Sequence, residues 1–131
     1  MKNSIFIAFV LIMFACNLEV KAQTDAITDI SNAIKEANVE KVSKYFNSSI
    51  ELTTDKGEEV YSQVQATAVL RDFFNRNPVR SYTVVHKGQK EGAEYVIGTY
   101  ISVKGLIFRV YFFVKQVSGR KVIQDLRFEK D

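Results

Sequence analysis

The sequence holds one histidine, the side chain that ordinarily titrates nearest neutral pH, and six tyrosines. His86, with Tyr82 and Tyr95 as hydrogen-bond donors, is the arrangement an isomerase or dehydratase would use: the imidazole as general base, a phenol to hold a developing oxyanion. Tyr82, Val84 and His86 alternate along one segment, so the spacing predicts a shared strand face. No core-side carboxylate can be placed beside His86 from the sequence to orient it. The favoured reading is therefore non-catalytic, with His86 at a strand end and the tyrosines as core residues whose hydroxyls reach the rim.

Composition removes other chemistries. A lone histidine cannot build a His-rich zinc site, and the single cysteine, Cys16, lies in the leader, so neither a metal nor a cofactor is expected. That leader runs from Lys2 through the apolar stretch Ile5 to Cys16 to the small-residue site Val20-Lys21-Ala22, the layout of a signal peptide. The expected division is residues 1–22 as signal peptide and 23–131 as one domain, periplasmic or secreted. Lipoprotein acylation at Cys16 is less favoured, because Met13-Phe14-Ala15 is bulky where small residues are wanted. Asn17, Glu19 and Lys21 interrupt the apolar run too early for a membrane span, so no permanent membrane anchor is expected.

Removing the leader takes Lys2, Lys21 and Glu19 with it, which leaves 16 basic and 14 acidic side chains, a net of +2. A balance this even, with both signs interleaved, carries no field suited to nucleic acid.

The elements that must position the remaining candidates follow from periodicity. Ile27, Ile30, Ile34 and Ala37 recur at helical spacing, and Asn38 can cap a second short helix carrying Val39, Val42 and Phe46. Ile50, Leu52 and Thr54 alternate with polar residues, and a turn at Asp55 to Glu58 makes a short hairpin. Ser62 and Gln65 form a capping box for a third helix bearing Ala66, Val69, Leu70, Phe73 and Phe74, which Pro78 ends. Four long strands follow, near 80–88, 93–103, 106–117 and 121–129. A two-residue turn at Lys104-Gly105 would set Ile101 opposite Phe108, Thr99 opposite Val110 and Ile97 opposite Phe112 on the apolar side. At Ser118-Gly119 the same rule would bury Asp125 and Arg127 among apolar side chains, so an odd-length loop or a bulge is expected, with Val122, Leu126 and Phe128 inward and Arg109 opposite Glu129.

This order of elements, with the stretches Val84-Val85-His86-Lys87-Gly88, Ile97-Gly98-Thr99-Tyr100 and Phe108-Arg109-Val110-Tyr111-Phe112, resembles a family of small secreted bacterial NTF2-like domains of unknown function. The resemblance implies an α+β, cystatin-like or NTF2-like cone: three N-terminal helices packed on a curved antiparallel sheet of four long strands plus a short hairpin. It implies no catalytic residues. Some NTF2-like proteins are enzymes with an acid–base pair at a pocket floor and others only bind or dimerise, so fold analogy does not choose between them.

Two candidate sites remain. Phe46, Phe73, Tyr82, Tyr95, Thr99 and Gln124 would line a pocket between helices and sheet for a small apolar ligand. The opposite sheet face, with Tyr100, Arg109, Tyr111, Phe113 and Arg127 among Val96, Ile107 and Ile123, is too aromatic for ordinary solvated surface and is rich in the residue types of interface centres. A binding or interaction module, homodimeric through that face, is the preferred function.

Overall fold

The computed structural model describes residues 25–131; the expected signal peptide, residues 1–22 with Cys16, lies outside the described residues. Helix α1 spans Ala26–Lys35 and buries Ile27, Ile30, Ala33 and Ile34. It stops short of Ala37, whose φ of 50° is left-handed. Helix α2 spans Val39–Ser43, and the Asn38 side chain accepts from the Lys41 amide at 3.1 Å, as its position predicts. Phe46 is not part of α2. It opens strand β1, Phe46–Thr54, which turns at Asp55-Lys56 into β2, Gly57–Ser62.

Helix α3, Gln63–Arg76, begins at the capping box: the Gln65 amide donates to the Ser62 hydroxyl, and the Gln65 side chain accepts from the Ser62 amide. Pro78 has no amide hydrogen and biases its predecessor away from helix, so the chain leaves α3 at Asn77. Strands β3 (Val79–Lys90), β4 (Ala93–Ser102), β5 (Ile107–Val117) and β6 (Arg120–Lys130) then run as a meander. No helix among the described residues is long and apolar enough to cross a membrane.

The hairpin is not an appendage to four strands. All six form one sheet in the order β2-β1-β6-β5-β4-β3, with β1 pairing β6 in parallel and every other pair antiparallel. The third helix also lies within the strand sequence, between β2 and β3, rather than N-terminal to the sheet. Register shifts on β1, β3 and β6 mark bulges, which bend a sheet by making two residues answer one. The result is a curved sheet with the helices packed on one face.

Two register expectations meet different outcomes. Ser118-Gly119 is a two-residue turn after all, with both residues at positive φ, the geometry that matches strand twist. The expected bulge sits farther along instead: Phe113 pairs Asp125 and Val114 pairs Ile123, which leaves Gln124 as the extra residue. Leu126 and Phe128 are buried in the core and Arg109 pairs Glu129, as predicted, but Val122 pairs Lys115 on the outer side of the sheet and Ile123 takes the inward place, because the bulge at Gln124 lies beyond both.

At the β4–β5 connection the two-residue turn does not form. The loop is Val103-Lys104-Gly105, closed by the Ser102 amide donating to the Leu106 carbonyl at 2.9 Å and the Leu106 amide donating to the Ser102 hydroxyl at 3.1 Å, with Gly105 at a φ of 85°. The Val103 amide is taken by the Pro78 carbonyl at 2.8 Å and is not available to the ladder. Tyr100 therefore pairs Phe108 and Gly98 pairs Val110, one residue away from the expected register. A one-residue slip sends every β4 side chain to the opposite face: Val96, Gly98 and Tyr100 point to the core, and Ile97, Thr99 and Ile101 face out.

The core under α3 is a cluster of rings. Phe73 lies 4.5 Å from Phe128, 5.0 Å from Phe108 and 5.9 Å from Tyr100, centroid to centroid, with Phe74 stacked on Tyr100 at 6.1 Å. Tyr100 is completely buried, and its hydroxyl donates to the Asn77 carbonyl at 2.5 Å. That bond satisfies the backbone where α3 has just ended.

Candidate functional site

The helix-free face of the sheet carries the groups most suited to recognition. Across β4 and β5 it presents Tyr95, Ile97, Thr99 and Ile101 beside Ile107, Arg109, Tyr111 and Phe113. On β6 follow Asp125 and Arg127, which pair Glu51 and Thr53 of β1; beyond them lies β2, where Val60 pairs Glu51 and Glu58 pairs Thr53.

A continuous row crosses four of these strands. The His86 Nε2 is 3.3 Å from the Tyr95 hydroxyl, Tyr95 stacks on Tyr111 at 6.3 Å and 27°, and the Arg127 guanidinium sits 5.1 Å above the Tyr111 ring. Arg127 in turn donates to Asp125 through Nη2 at 2.7 Å and through Nε at 3.1 Å. Tyr95 keeps its place by lying over Gly88: a Cβ there would collide with the phenol ring. The cation above Tyr111 gains from the ring quadrupole while its fork is held by a carboxylate, so the side chains order one another.

Asp125 is 9% exposed, a charged group tolerated because Arg127 covers it. Its hydrogen bonds to the Asp125 carboxylate hold the Arg127 guanidinium above its ordinary range. Glu51 lies directly across from Asp125 with Glu58 on its other side, and it is raised above the usual carboxylate range, first by its hydrogen bond with Glu58 and then by the Asp125 charge. Burial and the Asp125 charge push the Tyr111 phenol upward.

The catalytic candidates are divided between the two faces. Val84 pairs Gly98 but His86 pairs Ile97, so Val85 is an inserted residue that rotates His86 outward. Tyr82, on the near side of that bulge, pairs Tyr100 and is 6% exposed in the core. Burial raises its phenol well above the ordinary range, with the Ser31 hydroxyl acting in the other direction; neither hydroxyl has a partner in hydrogen-bonding geometry among the described residues. The expectation that Tyr82 and His86 share a face fails for this reason, and only His86 and Tyr95 meet.

The pocket candidates are likewise dispersed. Phe46 and Phe73 are core side chains, Thr99 and Tyr95 stand on the outer face, and Gln124 is the half-buried bulge residue whose side chain accepts from Asn47 at 2.9 Å. Where an apolar ligand would sit in the cone, the rings of Phe73, Phe74, Tyr100, Phe108 and Phe128 pack together. Of the interface candidates, Arg109, Tyr111, Phe113 and Arg127 lie on the outer face. Tyr100 does not, and neither do Val96 and Ile123, all three being buried in the core.

Glu51 and Glu58 are members of the outer face that sequence reasoning did not single out, whereas Ile97 and Ile101 were expected on the apolar side. The alternation of Glu51 and Thr53 with Ile50 and Leu52 marks an outward-facing pair, but the parallel β1–β6 pairing that brings them to Asp125 has no local signature.

The family model for a domain of unknown function, DUF4783, matches residues 27–129. The chain belongs to that family. A DUF4783 protein from Bacteroides ovatus is 29% identical with a TM-score of 0.73, the match covering 79% of this chain and 93% of that one. Another DUF4783 protein, from Bacteroides uniformis, is 25% identical with a TM-score of 0.76, covering 82% of this chain and 98% of the other. At 13% identity and a TM-score of 0.58, an NTF2-like protein of unknown function from Shewanella baltica covers 81% of this chain and 88% of its own, a likeness of fold alone. The DUF4783 domain described here thus has an NTF2-like fold, as its sequence predicts. No curated protein matches it.

Proposed function

We infer that this protein is a non-catalytic binding module, exported by its leader to the periplasm or beyond, that works through the outer face of its sheet. A second copy of the chain is its partner there. The observation that carries this reading is the row His86, Tyr95, Tyr111 and Arg127, pre-ordered by stacking and by the Asp125 carboxylate and bordered by the apolar side chains of Ile97, Ile101, Ile107 and Phe113. Aromatic side chains have few rotamers and Arg127 is already held by a carboxylate, so the row loses little conformational freedom on binding, and residues of both kinds are enriched at interface centres.

Charge favours a homodimer. One side of the face, at β1 and β2, carries Glu51 and Glu58, and the other carries His86, Arg109 and Lys115. A two-fold axis parallel to the strands would lay the acidic side of one copy over the basic side of its mate, a self-complementary arrangement. The enzymatic alternative retains His86 beside Tyr95, without the core-facing Tyr82.

Native mass spectrometry of residues 23–131 tests the reading. A dimer that Tyr111→Glu with Phe113→Glu converts to monomer supports it, and an oligomeric state and partner retention indifferent to those changes overturn it. Should a turnover be found, its loss in His86→Ala would favour the enzyme, and unchanged turnover would remove it.

A further inference from the structure

The sheet has a free margin whose chemistry differs from that of its face. Among the described residues, strand β3 is the last strand of the sheet and pairs with β4 alone. At 12 residues it is also the longest strand, whereas an edge left idle is usually kept short. Along Val79–Lys90 it carries Arg80, His86, Lys87 and Lys90 and no carboxylate, and all four of those side chains are exposed, with Thr83, Val85 and Gln89. Arg80, Lys87 and Lys90 make no ion pair with any described residue.

In an antiparallel edge strand, every second residue turns its amide and carbonyl away from the neighbouring strand. Those groups can hydrogen-bond an added strand, and side chains then set which strand is accepted. Like charges directly opposite one another are destabilising in a sheet, so the basic β3 edge repels a second β3 and any other basic segment. The same charges attract an acidic one.

We propose that the β3 edge is a docking site for an extended acidic segment of another protein, which adds to the sheet as a seventh strand. Main-chain hydrogen bonds supply the pairing, and Arg80, Lys87 and Lys90 supply the choice of partner. This site is separate from the proposed dimer face, because an added strand lies in the plane of the sheet and the dimer partner lies over it. Lysine on an edge strand is also a known defence against aggregation; defence requires only repulsion of like strands, whereas docking requires affinity for an acidic one.

The test titrates the protein, residues 23–131, with a short synthetic peptide of alternating Glu and Val, with the corresponding Lys–Val peptide as control. Amide resonances and hydrogen exchange are followed by NMR. The expected result is saturable binding of the Glu–Val peptide with new exchange protection confined to β3 amides, weakened by added salt. Lys87→Glu with Lys90→Glu should lower the affinity about tenfold or more, since reversing charge at a complementary contact replaces attraction with repulsion. Both side chains are exposed, so thermal stability should barely change.

Absence of protection on β3, equal affinity for the Lys–Val peptide, or insensitivity to the charge reversal would overturn the proposal. The other margin of the sheet, β2, is acidic through Glu58 and Glu59. Self-association abolished by Glu58→Lys with Glu59→Lys, but untouched by Tyr111→Glu, would show that the occupant is a second copy and would also overturn it. The dimer reading stands or falls on Tyr111 and Phe113, so the two failures are separable.

Discussion

Gly98 decides which face of β4 looks inward, and a single methyl group tests it. With Gly98 opposite Val84 and Val110 on the core side, a Cβ at that position would lie 2.6 Å from Cε2 of Tyr82, 2.7 Å from its hydroxyl oxygen and 2.8 Å from the backbone carbonyl oxygen of Thr83. The phenol is held in the core and the third contact is main chain, so rotation of a flexible side chain cannot relieve the overlap. Overpacking of this kind costs about 1–3 kcal/mol; with a backbone atom involved, Gly98→Ala should cost about 2 kcal/mol, a fall of about 10 °C in Tm for a domain of this size.

The register expected from a two-residue turn at Lys104-Gly105 makes the opposite forecast. Gly98 would then face out, and alanine would stabilise the strand by about 0.5–1 kcal/mol by restricting the unfolded chain. Urea unfolding monitored by tyrosine fluorescence, with thermal melts, distinguishes the two by sign. Tyr82→Phe sharpens the assay: it removes the hydroxyl contact together with a buried hydroxyl that has no hydrogen-bond partner among the described residues. Alone it should be neutral or mildly stabilising, and combined with Gly98→Ala it should recover part of the loss, about 1 kcal/mol of coupling. A neutral or stabilising Gly98→Ala, or strict additivity in the cycle, would refute the β3–β4–β5 packing and with it the assignment of Tyr100 to the core.

Two further changes probe the core and the outer face. Tyr100→Phe removes the donor to the Asn77 carbonyl and should cost about 1–2 kcal/mol without altering oligomeric state; a shift in sedimentation with unchanged stability would return Tyr100 to the interface. Glu51→Gln should raise stability at neutral pH: the folded Glu51 carboxyl binds its proton more tightly than the unfolded one, so its ionised form costs stability above the folded pKa. That advantage should close as pH falls through the carboxylate range, measured as the difference between the two urea midpoints; a gap that widens in acid would contradict the sign.

The helices were legible because their causes are local. Asn38, Ser62 with Gln65, and Pro78 act within a turn of their own position, and the structure places each cap where its spacing predicts. The interior face of β5 was legible too, since Phe108, Val110 and Phe112 alternate with Arg109 and Tyr111. Strand β4 was not: Tyr95, Ile97 and Ile101 are as apolar as Val96 and Tyr100, so alternation supplies no inward side. The candidate site divides in the same way, with Arg109, Tyr111, Phe113 and Arg127 found from their own strands and Tyr100 misplaced by its neighbour.

By itself the sequence determined the order of elements, the caps, the NTF2-like class and a sheet face rich in aromatic and basic side chains. Only the tertiary structure decided which residues share that face. The Pro78 carbonyl draws the Val103 amide out of the β4–β5 ladder and resets the register by one residue, and the Val85 bulge parts His86 from Tyr82. The parallel pairing of β1 with β6 brings Glu51 against Asp125 from far along the chain. Each of these is a hydrogen bond or strand pairing between segments distant in sequence, whose formation depends on how the whole sheet closes over its ring cluster.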